Sequence, residues 1–190
     1  MKINLNEITE KQLKTLADGV SAYTTIQSNV DADDPAFRSV FTKFYLSAQG
    51  KMRRAENQEP FFAKMRCCKK DKDLVELVEE LYRELPIGKY EFSFATKLLH
   101  TVNPDFPIYD SKVRNYLKHE EGVNFWLYFR PRKDVLSQIR HDWALLTAWY
   151  ADFLATARAK EWISWFDARF PNATWLSPTK KIDFIIFAWD

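Results

Sequence analysis

Leu85-Pro86-Ile87-Gly88-Lys89-Tyr90-Glu91-Phe92-Ser93-Phe94-Ala95-Thr96-Lys97-Leu98-Leu99-His100 runs on into Thr101-Val102-Asn103-Pro104-Asp105-Phe106-Pro107-Ile108-Tyr109-Asp110-Ser111-Lys112-Val113-Arg114. A helix arriving from upstream ends at Leu85 and turns through Pro86 and Gly88. A second helix starts near Glu91, with the small Ala95 on its packing face. It stops at Asn103-Pro104, because the residue before a proline is driven out of the α conformation. A stiff Phe-Pro-Ile-Tyr connector leads to Asp110, which heads a further helix as its N-cap, with Lys112 and Arg114 in the first turn. Two chemical uses suit this pattern. Turn amides beside a helix N-terminus can hold a phosphate, and an aspartate fixed at a helix start is an acceptor of defined direction. The plainer reading is that Asp110 only caps its helix.

Working outward, apolar residues recur at helical spacing. Helices are expected over 9–17 (Leu13, Leu16), 35–49 (Phe37, Val40, Phe41, Phe44, Tyr45, Ala48), 71–84 (Leu74, Leu77, Val78, Leu81), 91–102 and 111–118. A long periodic tract over 132–170 should break near Ala159 and Lys160, and the last element, 179–189, is short, apolar and expected to be buried. Gly19, Gly50 and Gly122 read as helix C-terminal caps, and Gly88 as a turn residue. No stretch carries β alternation. The fold class expected is all-α, a multi-helix orthogonal bundle in one domain over 1–190. Its helix-hairpin-helix core lies at about 72–120, flanked by helical layers at 1–71 and 130–190.

The chain has 190 residues, 46% hydrophobic and 28% charged, with a net charge of +2. That suffices for a real core without staples. The 15 Phe, 8 Tyr and 7 Trp must be mostly interior. Between Lys51 and Lys72 stand eight basic residues (Lys51, Arg53, Arg54, Lys64, Arg66, Lys69, Lys70, Lys72) against Glu56, Glu59 and Asp71. This is a candidate phosphate-contacting patch, or else an ordinary solvated face. Cys67 and Cys68 are adjacent and make neither a disulfide framework nor a zinc site. His100, His119 and His141 are too scattered for a metal. There is no Walker loop, nucleophile elbow or His-Glu-x-x-His, so no metal and no cofactor is expected. The first residues lack an apolar signal core and no apolar run approaches the ~20 residues of a membrane span, so a cytoplasmic protein without a membrane partner is expected. Asp183, amid Lys180 and Lys181, is expected to pair with a lysine.

The segment 85–117 resembles the hairpin-and-aspartate core of the helix-hairpin-helix DNA glycosylase superfamily, nearest to its 8-oxoguanine glycosylase branch. That family carries a Leu-Pro-Gly-x-Gly turn, a lysine followed two residues on by alanine, and an aspartate after a Pro-Val type connector. The turn is represented here by Leu85-Pro86-Ile87-Gly88, the alanine by Ala95, the connector by Phe106-Pro107-Ile108-Tyr109 and the aspartate by Asp110. Two features depart from the pattern: Ser93 stands at the lysine position, and the turn lacks the paired glycines.

The resemblance implies a DNA-binding protein that excises a damaged or modified base. Asp110 would be the catalytic carboxylate, stabilising positive charge on the sugar as the base leaves. The base would be extruded into a pocket between helices. Lys97, one turn beyond Ser93, and Lys89, in the turn, are the candidate nucleophilic lysines. Gly88, Lys89, Ser93, Lys112 and Arg114 are the candidate nucleic-acid contacts, to DNA, with RNA as an alternative. His100, at i+3 from Lys97, would sit on the same stripe, with a structural hydrogen bond as its simpler role. The rival functions are a catalytically inactive nucleic-acid-binding module on the same scaffold and a protein-interaction module docking through the basic patch and exposed tryptophans.

Overall fold

The computed structural model describes residues 3–28, 30–46, 52, 54–127 and 134–189. Among these residues the structure is helical throughout, with nine α-helices and no strand. The α-helices are α1 (Glu10–Ser28), α2 (Pro35–Tyr45), α3 (Ala55–Cys67), α4 (Leu74–Glu84), α5 (Phe92–Val102), α6 (Ser111–Glu120), α7 (Val135–Leu154), α8 (Ala157–Arg169) and α9 (Pro178–Trp189). No helix among the described residues is long and apolar enough to cross a membrane. The chain divides into two compact units, Ser21–Asn103 and Met1–Val20 with Pro104–Asp190. One boundary falls inside α1 and the other at the Asn103-Pro104 joint, within the segment 72–120.

Local chemistry explains most helix ends. Asp34, Asp73, Asp110, Asp134 and Thr156 each cap a helix, their side-chain oxygens accepting from backbone N–H groups one turn in. Each such cap contributes about 1 kcal/mol. Gly122, just past α6, has φ of 73°, the left-handed conformation in which helices commonly stop. Gly19, in contrast, does not cap. It lies inside α1, which runs on to Ser28, well past Ala17. A lone glycine weakens a helix interior by only ~1 kcal/mol, which packing by Val20, Tyr23 and Ile26, all buried, offsets. The break in the long C-terminal tract comes at Ala155-Thr156, four residues before the expected one, because Thr156 caps α8 through its hydroxyl. Helix α3 has no counterpart among the expected helices, since Pro60 stands inside it and its apolar pattern is weak. Gly50, the end of the expected 35–49 helix and the start of the 132–170 tract lie outside the described residues.

In the unit Ser21–Asn103 the core is aromatic. Phe41 is fully buried, with Phe37, Tyr45, Phe61 and Phe62 all within 6 Å ring-to-ring of it. Full burial of each such ring stabilises by about 1.5–3 kcal/mol. Leu74, Leu77, Val78 and Leu81 form the buried stripe of α4, which packs with α3 and α5. In the other unit α9 is the central element, packed by α6, α7 and α8. Residues 179–186 of it are all buried, as expected of the terminal segment.

Candidate functional site

The turn 85–90 forms as its residues dictate. Leu85 is buried, Gly88 is exposed at φ of 62° and donates its N–H to the Leu85 carbonyl, and Lys89 is exposed. A side chain at Gly88 would meet the Pro86 carbonyl oxygen at 4.0 Å, an ordinary contact, but a strained backbone. Tyr90 stacks on exposed Tyr82 of α4, centroids 4.2 Å apart.

Helix α5 does not offer its lysine to solvent. Lys97 is 9% exposed, and its ammonium donates to the Tyr45 carbonyl at 3.2 Å, above the Phe94 ring. The ammonium is held by a structural hydrogen bond, because the side chain meets the end of α2 and burial favours a bonded ammonium. Ser93 is half-buried. His100 is fully buried, its Nε2 2.9 Å from the Tyr23 hydroxyl, the structural role named as its simpler one.

Asp110 heads α6, half-buried, its Oδ1 accepting from Val113 N–H at 2.9 Å. Lys112 donates to the Phe187 carbonyl at 3.0 Å and covers that ring at 4.2 Å, satisfying the C-terminal end of α9. Arg114 is half-buried and donates to the Asn115 side chain. Asp110, Lys112 and Arg114 thus share one short helix start in one unit. Gly88, Lys89, Ser93 and Lys97 belong to the other.

The basic patch is less positive than its sequence count. Lys64 pairs with Glu80 and Glu84, at 3.5 and 2.6 Å, and Lys72 with Glu76 and Glu80, at 3.0 and 2.8 Å. Arg66 pairs with Asp33, and Arg54 lies 3.7 Å from Glu56. The carboxylates of α4 neutralise these two lysines, a contact invisible to a count taken along 51–72. Lys51 and Arg53 lie outside the described residues. Of the tryptophans described, Trp175 is the exposed one.

Two buried polar centres form only in the folded chain. Asp183, 5% exposed in α9, accepts a hydrogen bond from the buried Tyr150 hydroxyl. Of the two lysines beside it in sequence, Lys181 pairs with Asp167 at 2.7 Å. Burial pushes the Asp183 carboxyl up to about 7. The Lys180 charge, the Tyr150 hydroxyl and the Ile108 amide pull the other way, and the nearby Asp110 charge adds to the rise. Burial and Asp183 hold the Tyr150 phenol well above its usual range. The sequence carries one signal of this centre, an aspartate inside the run Ile182-Asp183-Phe184-Ile185-Ile186, since a carboxyl in so apolar a helix needs a buried partner.

The second centre is Asp142, fully buried on α7. It accepts from Tyr109 O–H (3.0 Å), Trp126 N–H (2.7 Å) and Leu127 N–H (3.0 Å), with His141 Nδ1 at 3.2 Å. The His141 ring lies flat on Trp126, centroids 3.5 Å apart. No local pattern announces this centre, because its four partners come from three separate stretches of chain.

No protein-family model, curated protein or solved structure matches the chain. The functional reading therefore stands on the residues alone. Among the described residues, no three His, Cys, Asp or Glu side chains are grouped to hold a metal.

Proposed function

We propose that the chain is a DNA-binding protein resembling the helix-hairpin-helix glycosylases, and that it removes a damaged or modified base by hydrolysis at Asp110, without a lysine nucleophile. One observation carries the reading: Asp110 is held half-buried at the head of α6, in the electrostatic neighbourhood of a second carboxyl, Asp183, that burial keeps protonated to near pH 7. A carboxyl fixed in direction at a helix head, with a second carboxyl nearby, suits the breaking of a glycosidic bond: it can steady the oxocarbenium-like sugar while water completes the displacement. The lysine-free route is supported by Ser93 at the family's lysine position and by the hydrogen bond that engages Lys97 at the Tyr45 carbonyl.

The test is a panel of duplex oligonucleotides carrying 8-oxoguanine, uracil or alkylated bases. Base release is expected from at least one lesion. It should be abolished by Asp110→Asn, which keeps the helix cap, and borohydride should trap no covalent adduct. Absence of release from every lesion would remove the enzymatic claim. A trapped adduct would remove the lysine-free mechanism.

A second reading, a binding module without chemistry, is favoured by Ser93 at the family's lysine position and by the engagement of Lys97 at the Tyr45 carbonyl. It predicts salt-dependent nucleic-acid binding that Asp110→Asn leaves intact, with no product. No affinity for any nucleic acid at low salt would leave the protein-interaction role, for which Trp175 and Phe187 are exposed aromatic surfaces.

A further inference from the structure

In the unit Ser21–Asn103, the end of α3 and the start of α4 enclose a groove of about 490 Å³ whose lining includes Lys64, Cys67, Cys68, Lys72 and Glu80. Both cysteines are free thiols, Cys67 exposed and Cys68 half-buried. Cys67, the last residue of α3, turns its S–H back toward the carbonyls of Ala63 and Lys64, at 3.5 and 3.4 Å. Cys68 leaves the helix in extended conformation and reaches the Lys69 carbonyl at 3.6 Å. The salt bridges of Lys64 and Lys72 to the α4 carboxylates hold the walls.

Three physical facts narrow what such a groove takes. Adjacent residues joined by a trans peptide have Cα atoms about 3.8 Å apart, whereas a disulfide usually needs about 4.4–6.8 Å. The pair therefore resists closing on itself and persists as two thiols. Burial, with the neighbouring Cys67, pushes the Cys68 thiol up to about 11, so it is a poor thiolate nucleophile for disulfide exchange. No third metal-ligating side chain joins them among the described residues, so an ion demanding three or four ligands is not served. What remains is a soft electrophile satisfied by two sulfurs.

We propose that the Cys67–Cys68 groove is a dithiol site for monosubstituted trivalent arsenicals, bound through both sulfurs. For an arsenoxide R–As=O the step balances without any redox change. The two S–H bonds and the As=O bond break, two As–S bonds form, and the oxygen leaves as water carrying both thiol protons. The arsenic bridges two sulfurs that cannot comfortably bond each other, and the organic substituent occupies the groove beside Leu77. The proposal rests on this groove alone and is independent of the DNA-binding reading.

Phenylarsine oxide is the probe, and the full chain the protein. One adduct per chain is expected by intact mass, stable to excess monothiol and reversed by a small dithiol. Loss of either sulfur converts a chelate into a single bond, so Cys67→Ser and Cys68→Ser should each weaken binding by about 100-fold or more. Both variants should keep the wild-type circular dichroism spectrum. Inorganic arsenite, which prefers three sulfurs, should bind more weakly than the phenyl compound. Equal binding by wild type and either serine variant would overturn the proposal, as would an adduct that monothiol removes.

Discussion

Replacing Asp183 with asparagine isolates the energetic consequence of a carboxyl sealed inside α9. In the unfolded chain this group ionises near 3.8; in the folded chain burial raises it to about 7. The folded state therefore holds the proton more tightly. Its stabilising effect is complete below about pH 4 and is lost as pH rises through 7, where the folded chain must carry a buried carboxylate. A carboxyl ionising about three pH units later in the folded state corresponds to about 4 kcal/mol between those limits. Relaxation and water entry reduce such figures, giving an expected ~2–4 kcal/mol.

The amide introduced by Asp183→Asn still accepts from Tyr150 O–H but cannot ionise. Its NH₂ group takes the place of Oδ2, which has no hydrogen-bond partner, so the variant carries a constant, pH-independent cost. The assay is thermal unfolding of both proteins between pH 4 and 8. The stability of wild type relative to Asp183→Asn should fall across that range, by roughly 5–15 °C in Tm for a chain of this size. Adding Asp110→Asn to otherwise wild-type protein should move the window to lower pH, because one like charge is removed. Parallel profiles for wild type and Asp183→Asn would refute the argument, for the carboxyl would then ionise alike folded and unfolded.

Three further outcomes follow from other particular contacts. Asp142→Ala removes the acceptor for one hydroxyl and two backbone amides and the partner of His141, and should lower stability by about 3–5 kcal/mol in urea titration; a loss under ~1 kcal/mol would contradict the centre. Gly88→Ala places a side chain at φ of 62° with room around it, so the cost should be backbone strain of about 1 kcal/mol, read as a small drop in Tm. Lys97→Met keeps the buried stem but leaves the Tyr45 carbonyl without its ammonium donor, which should cost about 1–3 kcal/mol by denaturant unfolding. If Lys97 were instead a free nucleophile, the same substitution would be nearly neutral to stability.

Much of the fold is legible in the chain, because helices are specified locally. The Asp110 cap, the Asn103-Pro104 stop and the stripe of α4 all follow from residues within a turn or two of each other. Helix α3 is not legible, since Pro60 mimics a break and the aromatic pair Phe61-Phe62 finds its packing only in contact with Phe41. The candidate site divides in the same way. Asp110 as a cap and Gly88 as a turn are local facts, and both stand. The fates of Lys97, Lys112 and the lysines of the basic patch are tertiary facts, decided by groups outside their own stretch of chain.

From the sequence alone come the all-helical class, the turn at Gly88 and an aspartate at the head of α6, because periodicity, proline geometry and side-chain capping act over a few residues. Tertiary structure alone decides which charges remain available for chemistry. Polar pairing is set by proximity in space: Lys64 forms an ion pair with Glu84, Lys181 with Asp167, and Tyr150 hydrogen-bonds Asp183, each pair lying several helical turns or more apart along the chain. Burial does the rest, turning Asp183 from an ordinary surface acid into a group that keeps its proton to near neutrality, through a desolvation that exists only once α9 is enclosed.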